Sequence, residues 1–164
     1  MAYEGEILNA CGVVEVDLTK VAVVAVSGSG PNVCGHMILH SPSRGGFYFH
    51  VAGFYGPPRY MSEAQYRKYL KANGKRELLR RYLELPDPRR AELYLESLLC
   101  GNWLWLVLPN NCVRFCEVII QAGGAEWGTY SNCPTVATDV PQQAINRFLQ
   151  TLEGEIYRLY GVPR

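Results

Sequence analysis

Apolar residues along this chain recur at two periods, and the change from one to the other divides it into strands and helices. The valine-dense stretch GVVEVDLTKVAVVAVS, residues 12–27, reads as two strands broken near Leu18 and Lys20, and GSGP ends them as a turn. GHMILH and GGFYFHVAG follow as two short strands, joined through SPSRGG as a hairpin. A helix then runs from the N-cap Ser62 to the stop at Asn73-Gly74. RELLRRYLEL, residues 76–85, satisfies helix and strand periodicity alike, so its state stays open.

Asp87 as N-cap, Pro88 at the first helical position and Gly101 as stop predict a second helix. Asn110 or Asn111 caps a third, closed at Gly123-Gly124. A fourth is expected over 138–161. There Asp139 and Gln142 have capping-box spacing, and Leu149, Leu152, Ile156 and Leu159 supply an apolar stripe. Without repeats, low-complexity tracts or linkers, the pattern predicts one α+β domain over 1–164, an antiparallel sheet packed against helices.

Composition narrows the function classes. A chain of 164 residues can bury a core without staples, and 48% hydrophobic with 19% charged residues describes a globular protein, not a disordered one. A formal net charge of +1 argues against nucleic acid as a partner, and Arg80-Arg81 and Arg89-Arg90 read as solvated faces. No apolar run approaches the roughly 20 residues of a membrane span, so no transmembrane segment is expected. MAYEGEILNACG lacks the basic start and apolar centre of a signal peptide. Synthesis in the cytoplasm is expected, with any export by a route that needs no cleaved signal. Six cysteines (Cys11, Cys34, Cys100, Cys112, Cys116, Cys133) then read as reduced thiols. A bridge from Cys133 to Cys100 or Cys11 is the alternative.

Candidate chemistry gathers in the hairpin and at the third helix. If the hairpin folds about Ser43, His36 lies directly opposite His50, with both side chains on one face. Cys112 opens a helix, where the helix's positive end and a nearby imidazolium favour thiolate, and where outward-pointing N–H groups could hold an oxyanion. Cys112 as nucleophile, His36 as base and His50 as orienter make a triad. Cys116, one turn further in among Ile119 and Ile120, is the rival thiol and reads as core. His40 reads as a polar residue at the hairpin end. Cys34, His36 and His40 offer three metal donors, but they stand on one strand face at growing separations, a poor cage; no metal and no cofactor is expected. Phe47, Tyr48, Phe49, Phe54, Tyr55, Trp103 and Trp105 either line an acyl pocket or fill the core, and alternation turns Phe47 and Phe49 away from His50.

These residues reach a family. GHMILH with GGFYFH, followed downstream by NNCVRF, resembles the permuted papain-like superfamily, which includes lecithin–retinol acyltransferase relatives and permuted NlpC-like cell-wall hydrolases. The resemblance covers residues 34–124, with His36, His50 and Asn111-Cys112 in matching order and Phe115 as the aromatic one turn after the cysteine. Met37 and Val113-Arg114 depart from the usual pattern. The resemblance implies a cysteine hydrolase or acyltransferase working through a Cys112 thioester, with phospholipid acyl esters favoured as substrate. A peptidoglycan amidase or endopeptidase of the NlpC-like type is the alternative. LWLVLPNNC with YSNCP also resembles small antibacterial effectors of type VI secretion. That likeness implies delivery into a target cell's periplasm, with an immunity protein or secretion-system component as partner. From another class, the chain reads as an inactive binding or adaptor module.

Overall fold

A computed structural model describes residues 3–8, 16–28, 35–106 and 111–126 of the chain. Residues 12–15 of the first valine run and the helix expected over 138–161 lie outside the described residues, as do Cys11, Cys34, Asn110 and Cys133. The described chain is α+β. Its strands are β1 (Glu6–Ile7), β2 (Lys20–Val26), β3 (His36–Ser41), β4 (Phe47–His50), β5 (Tyr55–Gly56), β6 (Arg59–Ser62), β7 (Glu77–Glu84) and β8 (Trp103–Leu104). Three α-helices accompany them among the described residues: α1 (Glu63–Ala72), α2 (Pro88–Leu99) and α3 (Cys112–Ala122). Six strands form an antiparallel sheet in the order β1-β6-β4-β3-β2-β7, and β5 pairs with β8 in a separate ribbon.

Helices cover both faces of the sheet, which explains why β2 is apolar at nearly every position instead of alternating. Val21, Val23, Met37, Leu39 and Phe49 pack against Ala91, Leu95 and Leu99 of α2 and Phe115, Ile119 and Ile120 of α3. Val24, Val26, Ile38, Tyr48 and Met61 pack on the opposite side against Tyr66 and Tyr69 of α1. The helix ends are those the capping residues predict. Ser62 makes a capping box with Gln65, and Asp87 accepts the Arg90 N–H ahead of Pro88.

Residues 77–84, ambiguous by periodicity, form an edge strand on β2 with a register shift at Ala25/Val26. Pairing with β2 decided what periodicity could not. The hairpin register differs from a fold about Ser43. Leu39 pairs with Phe49, His40 with Tyr48 and Ser41 with Phe47, so the chain turns about Arg44 through a 3₁₀ turn at Ser43–Gly45. Gly45 and Gly46 take φ of 92° and 78°, which the turn requires and which side chains resist. His36 therefore stands diagonal to His50 and not directly opposite. Because the slip is by two residues, both remain on one face.

Candidate active site

The strand-end cluster is built where β3 begins and β4 ends. Gly35 leads into β3 with φ of +79°, and a Cβ there would lie 2.2 Å from the Val26 carbonyl oxygen. Only glycine lets the chain press this closely on the end of β2 before His36. His36 then projects toward the α1 side, where its Nε2 meets His50 Nδ1 at 2.8 Å with the rings edge to face. His50 is fully buried, and its Nε2 lies 2.8 Å from the main-chain oxygen of Glu4. The Tyr69 ring of α1 packs 5.3 Å from the His50 ring, centroid to centroid.

These contacts assign the protons. A carbonyl oxygen can only accept, so His50 Nε2 carries hydrogen and donates to Glu4. Burial pushes the His50 pKa down to about 4, partly opposed by the Glu4 carbonyl and reinforced by Arg59 and Lys75, so the ring is neutral near pH 7. Its Nδ1 must then accept, and His36 Nε2 must donate to it. His36 keeps some exposed surface, yet burial, His50 and Lys75 hold its pKa well below the usual imidazole value. Neutral His36 therefore carries its lone pair on Nδ1, the atom a base needs.

Cys112 opens α3 under the Asn111 cap, whose Oδ1 accepts the Val113 and Arg114 N–H groups at 3.0 Å each. Its helix packs in the core on the α2 and α3 side of the sheet, whereas His50 packs against Tyr69 of α1 on the other side and His36 is bonded to it. The sulfur itself sits at the strand ends, where it accepts the main-chain N–H of Met37, the residue after His36. The N–H groups of Cys112 and Val113 also point at it. The structure thus joins His36 directly to His50, and brings the thiol to the same strand end through the backbone of Met37.

Two expectations for the thiol change. Cys112 is 6% exposed, and burial raises its pKa above the ordinary thiol value; the three N–H groups and the Lys75 charge pull it back without reversing the shift. Burial thus disfavours the charged form of the thiol and of both imidazoles alike. The outward N–H groups expected of the first turn are also partly taken, since Asn111 occupies those of Val113 and Arg114. The N–H of Cys112 lies against its own sulfur.

The remaining candidates fall into place around this centre. Cys116 is fully buried, and burial, Cys112 and Glu117 push its thiol well up, which suits core packing. Trp103 meets Phe115 edge to face at 5.5 Å, one turn from Cys112, and Phe49 packs in the α3-side core away from His50. His40 does stand near the hairpin end, opposite Tyr48. It is buried, stacks on Tyr48 at 4.2 Å, and its Nδ1 accepts from Arg80 Nη1 at 2.9 Å. Arg80 continues to Tyr48 and Glu77, Tyr66 donates to Glu77, and Tyr48 donates to Glu63. No group of three or more metal-donor side chains occurs among the described residues. Nor is any helix there long and apolar enough to cross a membrane.

Three participants escaped the sequence reading: the Glu4 carbonyl, Tyr69 and Lys75. A main-chain oxygen leaves no residue-type signal, and Tyr69 reads as one more apolar position of α1. Lys75 follows the Asn73-Gly74 stop, a place where lysine is ordinary. No protein-family model, curated protein or solved structure matches the chain.

Proposed function

We propose that this protein is a cysteine hydrolase or acyltransferase of permuted papain-like type, working through a thioester at Cys112. The observation that carries this reading is the proton order Glu4 carbonyl, His50, His36, which puts the His36 lone pair on Nδ1, in the residue next to Met37, whose main-chain N–H reaches the Cys112 sulfur. In the proposed reaction the thiol proton passes to His36 Nδ1 as sulfur attacks the acyl carbonyl, and His50 steadies the imidazolium through Nδ1. Collapse of the tetrahedral adduct breaks the bond to the leaving oxygen or nitrogen, which takes the proton from His36. Water, or a second alcohol or amine, then repeats the steps on the thioester and frees the thiol.

The favoured substrate is a phospholipid acyl ester. A histidine as second orienting group and the aromatic Trp103–Phe115 contact one turn from the thiol support it. Peptidoglycan amides are the alternative substrate, and action as an antibacterial secreted effector, with an immunity protein as partner, accompanies either one. A non-catalytic binding module is favoured by one observation, the buried thiol held above its ordinary pKa. Incubation of wild type and Cys112→Ala with phospholipid vesicles and with muropeptides, read by mass spectrometry, decides among them. Lysolipid or fatty acid released by wild type alone supports the ester reading, and cleaved stem peptide the amide reading. No product from either leaves the binding module.

A further inference from the structure

Lys75 leaves α1 through a turn that is bound to the end of β2. Its N–H donates to the Leu70 carbonyl at 2.8 Å, and its Nζ donates to the Ser27 carbonyl at 3.2 Å. The next residue fastens the same turn: the Ser27 N–H reaches the Arg76 carbonyl at 2.8 Å, and the Arg76 N–H reaches Ser27 Oγ at 3.0 Å. Ser27 follows Val26, the register partner of His36. The half-buried ammonium is therefore held one strand away from His36, whose neighbour Met37 gives its N–H to the Cys112 sulfur.

We propose that Lys75 is the positioning residue for the charge on Cys112: its ammonium, held on the Ser27 carbonyl at the β2 end beside the start of β3, supplies a fixed positive field to the sulfur. The proposal rests on Cys112 being the nucleophile. The titratable groups that interact with Cys112 are Lys75, Tyr69 from α1 and Cys116 one turn along α3. The strand end also carries His36 from β3, His50 from β4, Arg59 from β6 and Glu4 from the N-terminal segment, which interact with one another or with Lys75. Among them the Lys75 charge acts on Cys112, His36, His50 and Glu4 together, while that of Arg59 acts on Glu4 and His50. Burial lowers the Lys75 pKa, and Glu4 and Cys112 hold it up, the reciprocal sign of the same pairing. A cation fixed by the backbone stabilises thiolate without needing a proton on either imidazole.

The test is the pH dependence of Cys112 alkylation by iodoacetamide in the full chain, followed by mass spectrometry. Lys75→Gln keeps a donor for Ser27 without the charge, and Lys75→Arg keeps the charge. The midpoint should rise by about one unit in Lys75→Gln, a thiolate fraction about tenfold lower near neutral pH, and should return in Lys75→Arg. A folded Lys75→Gln with the wild-type midpoint overturns the proposal. Should that variant fail to fold, Lys75→Met replaces it, with the same expected rise, and a folded Lys75→Met with the wild-type midpoint overturns the proposal. Wild-type turnover on vesicles and muropeptides, run in parallel, separates the two readings. A moved midpoint without turnover keeps the charge pairing and removes the enzyme; turnover with an unmoved midpoint does the reverse.

Discussion

His36 and His50 are joined Nε2 to Nδ1 at 2.8 Å, diagonally across the mouth of one hairpin, and the Glu4 carbonyl beyond them sets which nitrogen of each ring bears hydrogen. Replacing His36 by Gln removes the base while keeping a hydrogen-bonding side chain. Amide cleavage should be lost, and turnover on the natural substrate should drop by about 10²–10⁴-fold. A trace should persist on an activated ester, whose leaving group needs no proton. Replacing His50 by Ala should cost about 10²-fold, because it strips His36 of its acceptor but leaves the base. Steady-state kinetics on both substrates checks the pair. Full activity of His36→Gln on its best substrate would remove the base from the mechanism.

The neutral resting pair has a consequence for the rate against pH. The active form carries a neutral imidazole and a thiol proton ready for transfer. Its acid limb belongs to protonation of the His36–His50 pair, which burial moves below the ordinary imidazole range. Its basic limb belongs to the thiol, which burial moves upward. The expected profile of kcat/KM is a broad plateau through neutrality, with limbs owned by the coupled groups together. A narrow bell centred near pH 7 would contradict the neutral pair.

Folding stability should fall in acid for a related reason. The folded-state pKa of His40 and of His50 is lowered to about 4, and burial is the main cause for both. An unfolded chain binds these protons near pH 6.5, so their contribution is fully present above that value and is lost as pH falls toward 4. Shifts of this size amount to on the order of 3 kcal/mol per residue once titration is complete. Urea titrations between pH 7.5 and 4 test it. Replacing His40 by Gln should flatten the slope, and an unchanged slope would reject the account of the Arg80 network.

Asn111→Ala removes the acceptor for two N–H groups at 3.0 Å each and should cost about 1 kcal/mol of stability. Turnover should fall beyond what that loss explains, since the cap also orients the first turn that carries Cys112. Asn111→Asp should restore stability, because it keeps the accepting oxygen. Thermal melts and kinetics on the same samples separate the two effects.

Cys116→Ala should destabilise by about 1–2 kcal/mol, as a small truncation inside the α3 core, while the folded fraction keeps its turnover. Loss of activity with folding intact would move the nucleophile from Cys112 to Cys116.

Local signals decided much of this protein. Ser62 with Gln65, Asp87 with Pro88, and Asn111 ahead of Cys112 each mark a helix start, because capping is a contact between residues two or three apart. The alternation of GHMILH and FYFH likewise put His36, His40 and His50 on one sheet face, a consequence of the strand's two-residue period. Tertiary structure decided what such signals cannot carry. Whether residues 77–84 became strand or helix depended on β2 offering an edge. The hairpin turned about Arg44 and not Ser43 because the Gly45-Gly46 backbone accepts positive φ, and that set His36 diagonal to His50. The charge state of the site was decided by burial. Helix start and histidine neighbours argue for a thiolate, but packing α3 and α1 against the two faces of the sheet removes water from Cys112, His36 and His50 alike. Desolvation disfavours each charged form, and it outweighs the N–H groups that a sequence places beside the sulfur.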